Sequence, residues 1–346
     1  MRKAVLVSAA ILCFVTGCQT NPPPRLRVGT YFGSLSGTEF ADPLNLGRHC
    51  RTLGWGEKNG LVYTCRGGFI DVAHLREAAD RTVYIAGLIE QAIVQQQTCL
   101  SFQLIEPSRY HVTLGYPEHW PDLSDRRRQE IAHHLGVELG PYIAHISTVW
   151  HEILTWFGFT STGIFSEHIS SFSWEDVYSD LLGTRLAAIA LTHVPYAYDD
   201  AMTLLIQNEL QRLGMQPPAV AQKAIQAVKG HWYTDGYYFF TTVRKRNFDL
   251  GHDDGRVTPW LVPGICPEQE PIAYPVPTTH VLEVYGFSVH LDIEPRELEG
   301  PLLLSIAHDG EPGDRIQPSV HFPILMSHIK KEAEEMYGPE VGVPSL

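Results

Sequence analysis

The stretch from Tyr142 to Phe159 constrains the fold more than any other part of this chain. It holds one acid, Glu152, and no Lys or Arg. A helix without a solvated face has to be covered on every side, so the segment predicts further layers packed around it. It forms the second half of a helical region from about Ser124 to Phe157. A break is expected near Gly140-Pro141, because an internal proline removes a backbone donor and crowds the preceding turn.

The covering elements are read from periodicity. Ala78, Thr82, Ile85, Ala86, Ile89 and Ile93 repeat at helical spacing and predict a helix from Asp71 to about Gln97. Ser173-Trp-Glu-Asp176 fits a capping pattern and opens a helix to about Leu191. Asp199–Leu213 and Pro218–Val228 supply two more, and Pro323–Tyr337 a closing helix. Phe102–Leu114, with its Glu106-Pro-Ser turn, reads as a hairpin. Asp235–Val243 and His280–His290 read as strands. Residues 26–68 are rich in Gly and read as loops with short extended pieces such as Gly60–Cys65. The expected class is α+β, a mostly helical core with a β-containing C-terminal portion, in a single large domain over residues 26–346.

The N-terminus speaks to location. Arg2 and Lys3 precede an apolar run, Ala4–Val15, too short to stay in a bilayer as a spanning helix. The run ends in Val15-Thr16-Gly17-Cys18, which resembles a lipobox. Residues 1–17 are then a lipoprotein signal peptide, Cys18 is the lipidation site, and residues 18–25 are a stiff proline-rich tether. An ordinary secretory signal beside a chance cysteine is the plainer alternative. Gln19, where lipoproteins kept at the inner membrane often carry Asp, favours the outer membrane, with the globular domain in the periplasm.

Composition narrows the partners. The chain is 44% hydrophobic and 19% charged, a globular balance, with a formal net charge of -13. That charge excludes nucleic acid and a polybasic grip on anionic lipid. The implied partner is the lipid bilayer, through acyl chains on Cys18. The richest later apolar run, Leu181–Val194, is interrupted by Arg185 and His193. Of the 6 Cys, Cys13 leaves with the signal and Cys18 takes the lipid. Cys50, Cys65, Cys99 and Cys266 remain for an oxidising compartment. The pairing Cys50–Cys65 is the most local; four buried thiols are the alternative.

Three clusters could carry chemistry. Asp71 and His74 open the first helix; an acid and an imidazole so placed can form an oriented pair, though Asp71 also serves as a cap. On the enclosed helix, His145 and Glu152 share a face and His151 flanks them. A buried carboxylate is costly without a cation or several donors, so Glu152 requires a partner, whether a metal, His, or an Arg such as Arg76 or Arg185. His151-Glu152 begins a zinc-protease motif, but Thr155 stands where the second His belongs. The third cluster supplies Glu167, His168, Glu175, Asp176 and Asp180. Capping accounts for Asp176 and leaves Glu167 and His168 unexplained.

The lipobox, Arg25-Leu-Arg-Val-Gly29, Gly67–Arg76, His151–Trp156, Phe172–Tyr178 and Thr258-Pro-Trp-Leu-Val-Pro263 resemble a family of bacterial lipoproteins catalogued only as a domain of unknown function. The resemblance implies one evolutionary unit over nearly all of the mature chain, and no reaction. The residues themselves predict an envelope hydrolase with a metal or acid–base site, Glu152 and Glu167 being catalytic. Asp71, His74, His145, His151 and His168 would supply ligands to a divalent metal, zinc first by its mixed N and O donors. The alternative is a non-catalytic lipoprotein that scaffolds or stabilises envelope components. A solute-binding protein is disfavoured, since two doubly wound halves are absent from the pattern.

Overall fold

The computed structural model describes residues 21–27, 40–160, 168–193, 196–234 and 242–346. It confirms the α+β class: eight helices and seven short strands among the described residues. A hairpin of β1 (Leu61–Thr64) and β2 (Gly68–Asp71) leads directly into the central helix α1 (Val72–Val94). Asp71 caps that helix, its Oδ1 accepting from the Ala73 amide at 2.7 Å.

After the hairpin β3 (Cys99–Gln103) and β4 (Arg109–Gly115), the helix α2 (Asp125–Trp156) lies along α1, and α3 (Asp176–His193) packs against both. Glycines set the spacing. A Cβ on Gly140 would fall 2.8 Å from Ala86 Cβ and 2.9 Å from the Thr82 carbonyl oxygen. One on Gly183 would meet the Leu75 carbonyl oxygen at 1.9 Å. Gly140 is thus a contact surface and not a hinge, and α2 runs unbroken through Pro141, contrary to the expected break. An internal proline costs about 3 kcal/mol. Burial of Leu139, Ile143 and Ala144 beside it offsets that cost, an aliphatic side chain contributing about 1.5–3 kcal/mol.

The enclosure predicted for residues 142–159 is largely present. Ile143, Val149, Trp150, Ile153, Leu154 and Trp156 are buried. The remaining helices α4 (Tyr198–Arg212), α5 (Pro218–Ala227), α6 (His280–Tyr285), α7 (Gly300–Ala307) and α8 (Pro318–Tyr337) cover the rest, Phe322 of α8 stacking on Trp150 at 6.0 Å. Between α5 and α6 lies a minimal pair, β5 (Arg256–Val257) and β6 (Tyr274–Pro275).

The strand expected at His280–His290 is corrected. Its first part is α6, stopped by Gly286 in the left-handed region at φ 70°. Only then does β7 (Ser288–Glu294) begin, pairing antiparallel with β4 to give the sheet order β3-β4-β7. The sheet therefore joins the two halves of the chain. The strand expected at Asp235–Val243 falls largely outside the described residues. No helix among the described residues is long and apolar enough to cross a membrane.

The disulfide is also corrected: Cys65 bonds Cys266, and Cys50 and Cys99 are free. β1 carries Cys65 to a second, aromatic-rich core with Tyr63, Trp174, Trp232, Trp260 and Ile265, where Cys266 packs. Cys50 stays in a different loop, its amide donating to Glu57 Oε1 at 2.8 Å. Of the predicted tether, the part from Asn21 onward is bound to the domain. Asn21 donates to the Tyr84 carbonyl at 2.9 Å, and Arg51 donates to Asn21 Oδ1 at 2.6 Å and the Pro22 carbonyl at 2.8 Å. Arg27, fully buried, pairs with Asp80 at 2.7 Å and Glu57 at 3.0 Å.

Candidate active site

The first turns of α1 and α3 meet beside the last turns of α2. The close crossing at Gly183 makes this junction, and the Asp71 amide donates to Ser179 Oγ at 3.0 Å across it. It gathers Asp71 and His74 from α1, His151 and Glu152 from α2, and Glu175, Asp176 and Asp180 from α3 with its leading turn. Their mutual electrostatic influence shows in the shifts of His74, Glu152, Glu175 and Asp180.

His74 Nδ1 lies 3.0 Å from Asp176 Oδ1. Burial alone would strip the imidazole of its proton, but Asp71 and Asp176 outweigh it and raise His74 well above its ordinary range. His74 nonetheless keeps 31% of its side-chain surface open to solvent, against 5% for Asp176. The imidazolium is thus set among buried acids yet reachable from outside.

The neighbouring carboxyls are pushed up. Burial, with the Asp176 charge added, lifts Asp180 to about 7 although His74 opposes it. Glu152 is raised by burial and then by Asp176, and Glu175 is raised well above its usual range for the same two reasons. Like charges in a low dielectric cannot all ionise together, and the proton is the least costly compensation. This answers what Glu152 requires. Its Oε2 accepts the Phe172 amide at 2.5 Å; among the described residues no Arg or Lys forms an ion pair with it. Arg76 instead donates to Asn59 Oδ1 at 2.8 Å and the Leu46 carbonyl at 2.9 Å, and Arg185 lies over the Tyr274 ring at 4.9 Å. Phe172 itself sits at φ 54°, a strained value for an aromatic residue, so Glu152 helps hold a turn that would otherwise relax.

His151 belongs to an adjoining ion cluster. Its Nδ1 is 2.8 Å from Glu106 Oε1, which also meets Arg81 at 2.8 Å. Burial works against the charge on His151, yet Glu106 raises it to about 9. Burial likewise resists ionisation of Glu106, but Arg81 and then His151 hold it at about 2. Glu106 is the residue that the sequence reading missed: a polar residue before Pro-Ser is ordinary turn chemistry, and only the fold reveals that it is fully buried.

Two predicted ligands face elsewhere. His145 is buried against the backbone of Leu250 and lowered to about 4, chiefly by burial. His168 Nδ1 meets the Trp156 carbonyl at 2.6 Å, its ring against the Trp156 indole. Glu167 and Cys18 lie outside the described residues. Among the described residues no three His, Cys, Asp or Glu side chains are grouped so as to hold a metal ion. Of the seven residues expected to converge, His145 and His168 face elsewhere, Glu167 lies outside the described residues, and Asp71, His74, His151 and Glu152 lie around the junction with Asp176, Asp180 and Glu106.

A family model described as "Protein of unknown function (DUF4056)" matches residues 37–258. No curated protein and no solved structure matches the chain. The matched stretch contains Gly67–Arg76, His151–Trp156 and Phe172–Tyr178, and so the whole junction. Arg25–Gly29, most of Thr258–Pro263 and Cys266 fall outside it, so the likeness is narrower than the nearly complete coverage expected.

Proposed function

Since the chain belongs to that family of unknown function, its activity has to be argued from the junction, and we propose an acid–base hydrolase of the bacterial envelope, held to the membrane by lipid on Cys18. One observation carries the reading: a solvent-open imidazole paired with Asp176 stands beside Asp180, a carboxyl poised at about 7. Perturbed groups of this kind, opposed in their proton demands and partly open to solvent, are what acid–base chemistry near neutral pH uses.

In this reading ionised Asp180 takes a proton from water as the water oxygen attacks the acyl or anomeric carbon. The His74 imidazolium gives its proton to the departing oxygen or nitrogen. Asp176 orients His74, and Glu152 positions the Phe172 turn. Envelope residence is supported by the lipobox resemblance and by the Cys65–Cys266 bond, since disulfides persist in oxidising compartments. Gln19 favours the outer membrane.

The Glu152–Phe172 bond by itself also suits the scaffold reading, because it fixes a turn without touching solvent. Hydrolysis assays separate the two. The purified mature protein is offered ester, amide and glycoside substrates prepared from envelope fractions, with Asp180→Asn and His74→Gln beside it. Expected is turnover that rises with an apparent pKa near 7 and falls roughly 100-fold or more in Asp180→Asn. A wild type inactive on all three classes, or an Asp180→Asn variant at full rate, overturns the enzyme.

A further inference from the structure

The loop between Cys50 and Glu57 is fixed at its base and bare at its tip. At the base, Glu57 accepts from the Cys50 amide at 2.8 Å and from Arg27 at 3.0 Å, and it also pairs with Arg25. At the tip, Leu53 is 63% and Trp55 87% exposed. Leu26 and Leu44 nearby are exposed as well. The chain's other tryptophans, at 120, 150, 156, 174, 232 and 260, are all buried. A tip held out by buried ion pairs and ending in Leu and Trp is an apolar surface that no described residue covers.

What covers it follows from the arm beside it. Arg25 reaches the Gly54 backbone, a Cβ there falling 3.2 Å from its Nη1. Arg51, in the loop itself, grips Asn21 and Pro22. Cys18 is three residues before Asn21, and an extended chain spans at most about 3.5 Å per residue. Three residues therefore reach at most about 11 Å from Asn21, which sits on the side of the domain where this loop stands. Trp at the boundary between headgroups and acyl chains buries its ring while its indole N–H stays solvated.

We propose that the Leu53–Trp55 tip is a membrane-docking element that inserts into the leaflet holding the acyl chains of Cys18. This rests on lipidation of Cys18. The occupant is the lipid surface itself. The net charge of -13 gives the domain no general electrostatic hold on anionic lipid, so the apolar tip supplies the second point of attachment that a single anchoring site lacks.

The test uses the full lipoprotein, reconstituted in vesicles of phosphatidylethanolamine and phosphatidylglycerol with and without brominated acyl chains. Bromine quenches tryptophan only within the bilayer, and Trp55 is the exposed one. Expected is a quenched component in the wild type that disappears in Trp55→Phe and shrinks in Leu53→Asp, with unchanged circular dichroism. Mass analysis of the N-terminal peptide reads the lipid separately. A Cys18 without lipid overturns the anchor and the docking together. A lipidated protein whose quenching is absent, or persists in Trp55→Phe, overturns the docking alone, including the case in which a protein partner or second copy covers the tip.

Discussion

The carboxylate of Asp176 serves two masters: Oδ1 stands 3.0 Å from His74 Nδ1, while Oδ2 accepts from the Ser173 amide and hydroxyl at 2.9 Å each. One side chain thus ties the cap of α3 to the imidazole of α1. Asp176→Asn keeps an acceptor for the cap and removes the charge. The expected result is a fall of the His74 pKa by a unit or more on NMR titration, one unit being about 1.4 kcal/mol, with a loss of stability near 1 kcal/mol. An unmoved His74 titration would show that Asp176 is only a cap.

Asp180 makes stability depend on pH in a predictable sense. Its folded-state pKa, about 7, is above the ordinary value of 3.8. Between those values the folded protein keeps a proton that the unfolded chain has released, so stability falls as pH rises through this window. Asp180→Asn holds no titrating proton and should flatten that decline by an amount on the order of a few kcal/mol. Urea unfolding of both proteins at pH 5 and pH 7.5 measures it; parallel slopes refute the assignment.

Glu106 anchors the adjoining ion cluster. Arg81 and His151 are both within 2.8 Å of it, and removing one member of a buried set leaves the others uncompensated. Glu106→Gln should therefore cost about 3–5 kcal/mol and bring the His151 pKa down from about 9. A variant as stable as the wild type would mean that Glu77, 2.9 Å from Arg81, satisfies it without Glu106.

Cys65 and Cys266 are 201 residues apart. Closing so long a loop restricts the unfolded chain by about 5 kcal/mol on the chain-entropy account. Cys266→Ser, or reduction of the wild type, should lower the unfolding free energy by roughly that amount at most. Non-reducing peptide mapping checks the bond itself, and a Cys50–Cys65 peptide would restore the pairing read from sequence.

What could be read in advance follows the range of the physics involved. The stripe Ala78–Ile93 and the enclosure of Tyr142–Phe159 are local patterns, and the helices came out within a few residues of them. Asp71, His74, His151 and Glu152 stood out because unusual chemistry on an apolar helix is visible in one dimension. Glu106 was not, because its burial is produced by α1 and α2 closing over a turn. Asp176 was explained too early by its cap, which is real and incomplete. The break at Gly140 and the Cys50–Cys65 pairing failed for one reason: each was judged from chain neighbours, whereas Ala86 and Cys266 decided the matter from far away.

The helix α1 carries His74 in its first turn and, further along, Tyr84, whose carbonyl holds Asn21. At 1.5 Å per residue the two are roughly 15 Å apart. A lipid on Cys18 would turn this rigid span into a leash of fixed reach. Whatever the orientation of the domain, His74 would then stay within about 30 Å of the bilayer surface, counting the short arm before Asn21. For the proposed hydrolase, material deeper in the envelope would have to be brought to it, and its targets would be those whose scissile bond already sits in that membrane-side layer.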